Sequence, residues 1–552
     1  MKESKLVLTP VNILSLPLEI VREIGNLLPQ NLKSLTLVCS WFNRALESDV
    51  LSTLVIYITG STVMQSNRQL RALALQKTRA TLLARTLKIK SLSPSFGAVS
   101  RRRLFDGQEI SRAVAKCQVY LGTLAIKWYL GQAISSLKNV ECASWVLSSD
   151  DPPWTQAIVI SALSSLPHLQ EFHIDITGGL YLPHLDHLSG LKKIKVSLTC
   201  NPDESGYARI FSLEGLATLI ASSPQLAHLE VNSQSAWRSP ITLHGLLKNV
   251  PQDVPLQLTH LTLHGIFAHL DSQTLSHLRS LVYLNLNRLY STLPTSNPHH
   301  TPQMMETAST AGVYAILERE KIHLKHVVIG CMLNDVILDY LGSYSGLETL
   351  DLRSPSSYSA NAAEVSDTFS RKFYTSVLPK HINSLRVLKI RPAYEGGWCY
   401  NLDNVYPVLS QCSKLRSLSI ALNSVPSINH RMVGSETLLH YCDPRSDQFD
   451  DEVCSLINLS HSGMADLTQI CIFPADLNAA HRSILVATNP HRSRVMECIS
   501  RCVADFRPED GKHSNGIFPD IWVDQWKFYR YQRLDDGLEW GYKLSYARPR
   551  LA

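Results

Sequence analysis

The amino-acid sequence predicts an α/β repeat fold in which a short all-helical segment leads into a solenoid with a parallel inner sheet and outer helices. Three observations carry that expectation. Leucine supplies 82 of the 552 residues, more than any other type. A hexad of the form Leu-x-x-apolar-x-apolar keeps returning along the chain, and between its occurrences the apolar residues take helical spacing. A single strand and helix cannot bury their own apolar faces, so units of this kind make a core only by stacking on one another.

The first element is residues 11–56, where apolar positions follow helical rather than strand periodicity and imply three short helices. Pro17 suits a first helical turn and Glu19 complements the positive helix end. Ile20, Ile24, Leu27 and Leu28 then fall at i, i+4, i+7 and i+8, until Pro29 stops the helix. Asn31 is placed to cap a second helix bearing Leu32, Leu35, Val38 and Cys39, and Trp41, Phe42, Ala45 and Leu46 form a third amphipathic stretch. Such a unit is near the size at which a core alone stops sufficing, so it is expected to lean on a neighbour.

Residues 57–130 read as a linker with the first solenoid elements, including a partial hexad over Arg85–Ile89. The array proper occupies residues 131–480. Its hexads begin at Leu137, Leu169, Leu191, Leu226, Leu258, Leu281, Leu324, Leu347, Leu385, Leu415 and Leu467, an average spacing of 33 residues with extremes of 22 and 52. Each is expected to be a short strand whose fourth and sixth residues are buried while the third, fifth and seventh line the opposite, concave face. Helices are expected at 155–165, 213–222, 274–277, 335–341, 367–378, 405–411 and 451–458. The doubly wound alternative is disfavoured because these strands carry His, Lys, Glu, Asn and Asp at alternate positions instead of continuous apolar runs.

The fifth-position row reads Glu141, His173, Lys195, Glu230, Thr262, Asn285, Val328, Asp351, Lys389, Ser419 and Cys471. Eleven strands at about 4.8 Å make a face about 48 Å long, large enough for a protein and shallow for a small substrate. His173, Lys195, Glu230, Asn285, Asp351 and Lys389 are the residues expected to hold a target protein there. An unused solvated face is the competing reading. Two insertions, Tyr290 to Thr310 and Leu422 to Asp450, are rich in Ser, Pro, Asn and His, and the first is expected to be disordered. Residues 481–552 concentrate aromatic side chains, among them Phe518, Trp522, Trp526, Tyr531 and Tyr542, and are expected to cap the last layer, with a partner-binding patch as the alternative.

Chemistry finds no foothold. The formal charge of +6 on so long a chain does not indicate a nucleic-acid binder. There is no GxGxxG, GxxxxGK[ST] or GxSxG sequence. His184 with His187, and His299 with His300, lack a third ligand at local spacing, and Cys498 with Cys502 make neither a zinc site nor a redox motif, so no metal, cofactor or catalytic set is expected. The run Arg101-Arg102-Arg103 reads as a solvated loop. The twelve scattered cysteines fit a reducing compartment, and neither a secretory leader nor a membrane span is expected.

The order Leu16-Pro17-x-Glu19-Ile20, then Leu28-Pro29, Leu32 and Leu37-Val38-Cys39-x-x-Phe42, resembles the F-box motif, with both prolines agreeing in spacing. That resemblance, over about the first 50 residues, implies a docking module for the Skp-type adaptor of cullin-RING ubiquitin ligases. Carried over, the adaptor-binding residues would be Leu16, Pro17, Ile20, Ile24, Leu28 and Leu32, with Val38, Cys39 and Phe42 packing behind or beside them. The hexad array resembles leucine-rich repeats over roughly residues 130 to 480, although the Asn or Cys turn position expected after the hexad is mostly missing. Together these imply a non-catalytic substrate-receptor subunit of an SCF-type ligase, cytoplasmic or nuclear, binding an adaptor and a target protein but no nucleic acid, membrane or cofactor. The alternative is a leucine-rich scaffold whose F-box-like segment is only a structural cap.

Overall fold

A computed structural model describes residues 16–28, 31–94, 112–177, 183–199, 214–233, 241–266, 268, 270–287, 302–331, 333–353, 360–392, 395–423, 447–460, 464–475, 490–507, 518–524, 527–533 and 540–545. The chain divides into two compact units, Met1–Leu229 with Leu246–Val254, and Glu230–Gly245 with Pro255–Ala552.

The first unit opens with three helices, α1 (Leu18–Leu27), α2 (Leu32–Thr36) and α3 (Ser40–Leu51). Pro17 starts α1, its carbonyl accepting the amides of Ile20 and Val21. Asn31 makes no side-chain cap; only its carbonyl accepts, from Leu35. Val21, Phe42, Ala45 and Leu46 form the internal core, with Leu16, Leu32, Leu35, Cys39 and Trp41 packed against it. Gly25 is what lets the helices close, since a Cβ there would meet Leu32 Cδ2 at 2.9 Å and Leu46 Cδ2 at 3.1 Å. A strand follows α3 at once. Thr53–Ile58 (β1) pairs in parallel with Thr86–Leu92 (β2), so the strand array begins inside residues read from sequence as helical. Cys142–Leu147 (β3), Glu171–Thr177 (β4) and Lys193–Thr199 (β5) continue the parallel series. A 24-residue helix, Arg112–Ser135, precedes β3 and buries Ala125, Ile126, Leu130, Ala133 and Ile134 while Tyr120, Leu121 and Trp128 stay exposed. Apolar residues on more than one side blur the periodicity, which is why a linker was expected there.

The division between the units passes through His228–Ser233 (β6). In the second unit His260–His264 (β7), Tyr283–Asn287 (β8), His326–Ile329 (β9), Thr349–Leu352 (β10), Val387–Ile390 (β11), Ser417–Leu422 (β12), Gln469–Pro474 (β13) and Asp520–Val523 (β14) pair in parallel, each with the next. Lys527–Arg533 (β15) and Trp540–Ser545 (β16) end the series as an antiparallel pair. Phe506, Phe518, Tyr531 and Tyr542 pack ring on ring beneath it, and the Tyr542 hydroxyl donates to the Pro519 carbonyl at 3.0 Å. Trp526 lies outside the described residues.

Expected helices occur at Trp154–Ser164, Glu214–Ala221, Ser272–Ser276, Asp335–Gly342, Tyr406–Leu409 and Asp447–Asn458. The helix expected at 367–378 starts earlier, at Ala360, and passes through a π turn at Phe373–Val377. Pro302–Arg319 is also helical, so the end of the first insertion is ordered. There Thr310, Val313, Tyr314 and Leu317 fall at i, i+3, i+4 and i+7 and are buried. The remainder of that insertion, residues 424–446 of the second and Arg101–Arg103 lie outside the described residues.

The hexads bury what the alternation demands: Leu229 and Val231, Leu284 and Leu286, Leu350 and Leu352 are all at most 1% exposed. One register is different from expectation. Thr86 lies opposite Cys142, and Cys142 opposite Glu171, so the third hexad position is Cys142 and the hexad starts at Val140 rather than Leu137. Ala143 and Trp145 therefore take the buried places, Cys142 turns to the polar face, and Glu141 leaves the fifth-position row, which Ser144 fills.

A single main-chain device joins successive repeats. The carbonyl of Arg85 accepts the amides of both Glu141 and Cys142, that of Glu141 those of Gln170 and Glu171, and that of Gln170 those of Lys192 and Lys193. In the second unit the same double acceptance runs through Thr259, Val282, Lys325, Glu348, Arg386 and Arg416. The amide entering a hexad is then met by a side chain from the next repeat: Leu191 donates to Ser223 Oγ at 3.3 Å, Leu324 to the Tyr340 hydroxyl at 3.3 Å and Leu347 to His381 Nδ1 at 3.4 Å. These buried groups do the work of satisfying main-chain donors.

Candidate functional site

Two surfaces carry the residues singled out in the sequence. On the helical segment, the stripe of α1 faces outward while Val21 faces in. Ile20, Leu27 and Leu28 are exposed together with Leu18, and the turn after α2 presents Leu37, 86% exposed, and Val38, 67% exposed. Pro17 is exposed and Ile24 half-buried. Leu16 and Leu32 are half-buried against the core, and Phe42, 7% exposed, belongs to it. The outward set is thus Pro17, Ile20, Ile24, Leu28 and Val38, joined by Leu18, Leu27 and Leu37, and Phe42 supports it from behind.

The polar strand face runs in register within each unit. Lys88, Ser144, His173 and Lys195 lie opposite one another in turn on β2 to β5. Thr262, Asn285, Val328, Asp351, Lys389 and Ser419 do so on β7 to β12. His173, Lys195, Glu230, Asn285 and Lys389 are half-buried. Asp351 is only 7% exposed and its Oδ2 accepts from Arg353 Nε at 3.2 Å, so it is a paired internal carboxylate and not an open contact. At the third position His260, Tyr283 and His326 follow one another across β7, β8 and β9, the first two stacked at 5.4 Å and the second and third tilted at 6.4 Å. Burial pushes the Tyr283 hydroxyl up.

Register brings a further group together on β3 and β4. Cys142 Sγ, a Glu171 carboxylate oxygen and a His173 ring nitrogen all lie within 4.8 Å of one another, the sole such metal-ligating trio among the described residues. Glu171 sits 3.7 Å from His173 Nε2 and 3.5 Å from Lys193 Nζ. Burial raises the Cys142 thiol, and the Glu171 charge adds to that against the opposing pull of Lys193 and Lys88. His228 is held below the ordinary imidazole range by burial, with Lys193 contributing. The trio escapes sequence reading because its members sit on two strands, and the hexad start at Leu137 hid Cys142 among buried positions. Aligning Val140 with Leu169 would have placed Cys142 opposite Glu171.

Of the histidines flagged in sequence, His184 and His187 are exposed and belong to no metal-ligating trio among the described residues, and His299 and His300 lie outside those residues. Cys498 and Cys502 are buried on the helix Pro490–Asp505, where the Cys502 thiol donates to Asp450 Oδ1 at 2.8 Å. Every cysteine among the described residues is a free thiol. No helix among them is long and apolar enough to cross a membrane.

No family model matches the chain, and no curated protein matches it. Among solved structures, a leucine-rich-repeat protein of Leptospira interrogans is similar over 68% of this chain and 92% of its own length, at 11% identity and a TM-score of 0.27. The leucine-rich-repeat character of the α/β fold accordingly rests on the chain's own strands, hexads and helices.

Proposed function

We propose that the protein is the substrate-receptor subunit of a cullin-RING ubiquitin ligase, docking a Skp-type adaptor through α1 and α2 and a target protein through the polar strand face. The observation that carries this reading is the outward apolar set Leu18, Ile20, Leu27, Leu28, Leu37 and Val38, on the same segment whose residue order resembles the F-box motif. Isolated exposed leucines need no explanation, but six exposed apolar side chains on α1 and in the turns after α1 and α2 are what a docked partner would cover. Covering such side chains contributes at most about 1.5 to 3 kcal/mol each, less for those already half-buried. The protein itself performs no bond chemistry in this reading: it raises the effective concentration of a target near the ubiquitin-loaded enzyme. It would do so in the cytoplasm or nucleus.

A second reading has its own support. The helix α3 runs directly into β1, and Glu47 on it pairs with Arg79 at 2.5 Å, as a structural cap on the first repeat would. The two readings part on one experiment. Full-length protein and an Ile20→Glu, Leu28→Glu variant are mixed with purified Skp-type adaptor and passed over a sizing column. The ligase reading expects co-elution of the unmodified protein, its loss in the variant, and an unchanged circular dichroism spectrum. Absence of co-elution with the unmodified protein sinks the ligase reading and leaves the scaffold.

A further inference from the structure

We propose that Cys142, Glu171 and His173 bind a zinc-type divalent transition-metal ion through three protein ligands, leaving a fourth position open. The inference is independent of the ligase reading. A thiol, an imidazole and a carboxylate are the sulfur, nitrogen and oxygen donors that borderline ions such as Zn²⁺ accept together, whereas Ca²⁺ and Mg²⁺ require oxygen alone. Placement is set by the sheet: Cys142 lies opposite Glu171, and His173 follows two residues along β4 on the same half-buried face. In a tetrahedral zinc site neighbouring sulfur and nitrogen ligands lie about 3.5 Å apart. The three donor atoms already lie within 4.8 Å of one another, so strand pairing gathers them near that spacing before any ion binds.

Uptake of the ion is a ligand exchange that balances without an oxidant. The Cys142 S–H bond breaks, its electron pair forms the sulfur–metal bond and the proton leaves to solvent. Because binding releases that proton, affinity should fall as pH falls. Lys193 competes for the same carboxylate from 3.5 Å and sets the affinity lower than the donors alone would give.

Cobalt(II) is the probe, titrated into reduced, chelator-stripped full-length protein. One equivalent should raise the visible bands of a tetrahedral site together with a near-ultraviolet thiolate-to-cobalt band, and zinc should displace both. Cys142→Ser should remove the thiolate band. His173→Ala should weaken binding by about tenfold or more, and Lys193→Met should tighten it. Circular dichroism checks that each variant folds, and Glu171→Gln provides an independent ligand variant. Wild-type protein without the bands, or a thiolate band that persists unchanged in Cys142→Ser, as it would if Cys454 or Cys502 were the ligand, overturns the proposal.

Discussion

Replacing His381 with leucine should destabilise the second unit by about 2 to 4 kcal/mol at neutral pH. The ring is 1% exposed and both nitrogens are engaged, Nε2 donating to the Leu341 carbonyl at 2.8 Å and Nδ1 accepting the Leu347 amide at 3.4 Å. Leucine conserves most of the volume but orphans both main-chain groups. Each costs about 1 to 3 kcal/mol when buried and unpaired, and the longer amide contact falls at the low end of that range. The same geometry fixes the response to acid. Burial holds the ring below its ordinary titration range, although the hydrogen bond to Leu341 opposes it. Unfolded, a histidine titrates near 6.5, so above that pH neither state gains a proton and the contribution is fully present. As pH falls below that value the unfolded chain takes up a proton that the folded ring resists, and stability drains away until the folded value is reached. Urea unfolding of wild type and His381→Leu at about pH 7.5 and about pH 5.5, with hydrogen exchange over the segment from Leu341 to Leu352, reads both effects. The variant should be less stable, exchange faster at Leu347, and lose part of the acid sensitivity. Stability within about 0.5 kcal/mol of wild type, with unchanged exchange, would refute the account.

Three further outcomes are expected. Leu284→Ala removes a side chain 1% exposed in the strand row and should cost about 2 to 5 kcal/mol in equilibrium unfolding; a loss below about 1 kcal/mol would contradict its place in the core. Glu452 is pushed up to about 7 by burial, with Asp403 and Glu395 adding to it, so the protonated form is favoured in the fold. Its contribution is present below the ordinary carboxyl range and is lost as pH rises through about 7, so Glu452→Gln should flatten the decline in melting temperature between about pH 4.5 and about pH 7, and superimposable profiles would count against it. Lys195→Glu and Lys389→Glu reverse half-buried charges on the strand face, and at least one should weaken target capture by more than about 1 kcal/mol without altering adaptor binding. Unchanged capture by both would move the target site off this face.

Much of the array could be read from sequence because its signal is chemically redundant. Leu284 and Leu286 alternate with Tyr283 and Asn285, and no other register buries both leucines. At the first array strand that redundancy fails. Leu137 and Val140 are both apolar and three residues apart, so the hexad fits either start, and the choice belongs to pairing with Thr86 and Glu171. The strand β1 was absorbed into the helical segment because Leu51, Leu54 and Val55, at i, i+3 and i+4, also suit a helical face. The side chains that receive incoming main-chain amides were invisible for a different reason: Ser223, Tyr340 and His381 share a task but neither a residue type nor a fixed distance from the hexad. On the helical segment the sequence located the apolar stripe but not its direction. Val21 and Gly25 turn inward, which leaves Ile20 and Leu28 pointing away from the core.

The double acceptance by one carbonyl at the start of each repeat has a consequence for how such a chain can change. Its atoms belong to the main chain, so a substitution other than proline at Glu141, Gln170 or Lys325 leaves the junction standing. The length of chain between junctions does not enter either. Successive hexads are 22 residues apart from Leu169 to Leu191 and 52 apart from Leu415 to Leu467, yet the strands in each place stay in register. Doubling a connecting loop costs only about 0.6 kcal/mol in closure entropy. Insertions can therefore accumulate between strands, and surface side chains can drift, while the strands remain stitched at the same points. A lineage built this way would keep its architecture long after its sequence had ceased to resemble that of its kin.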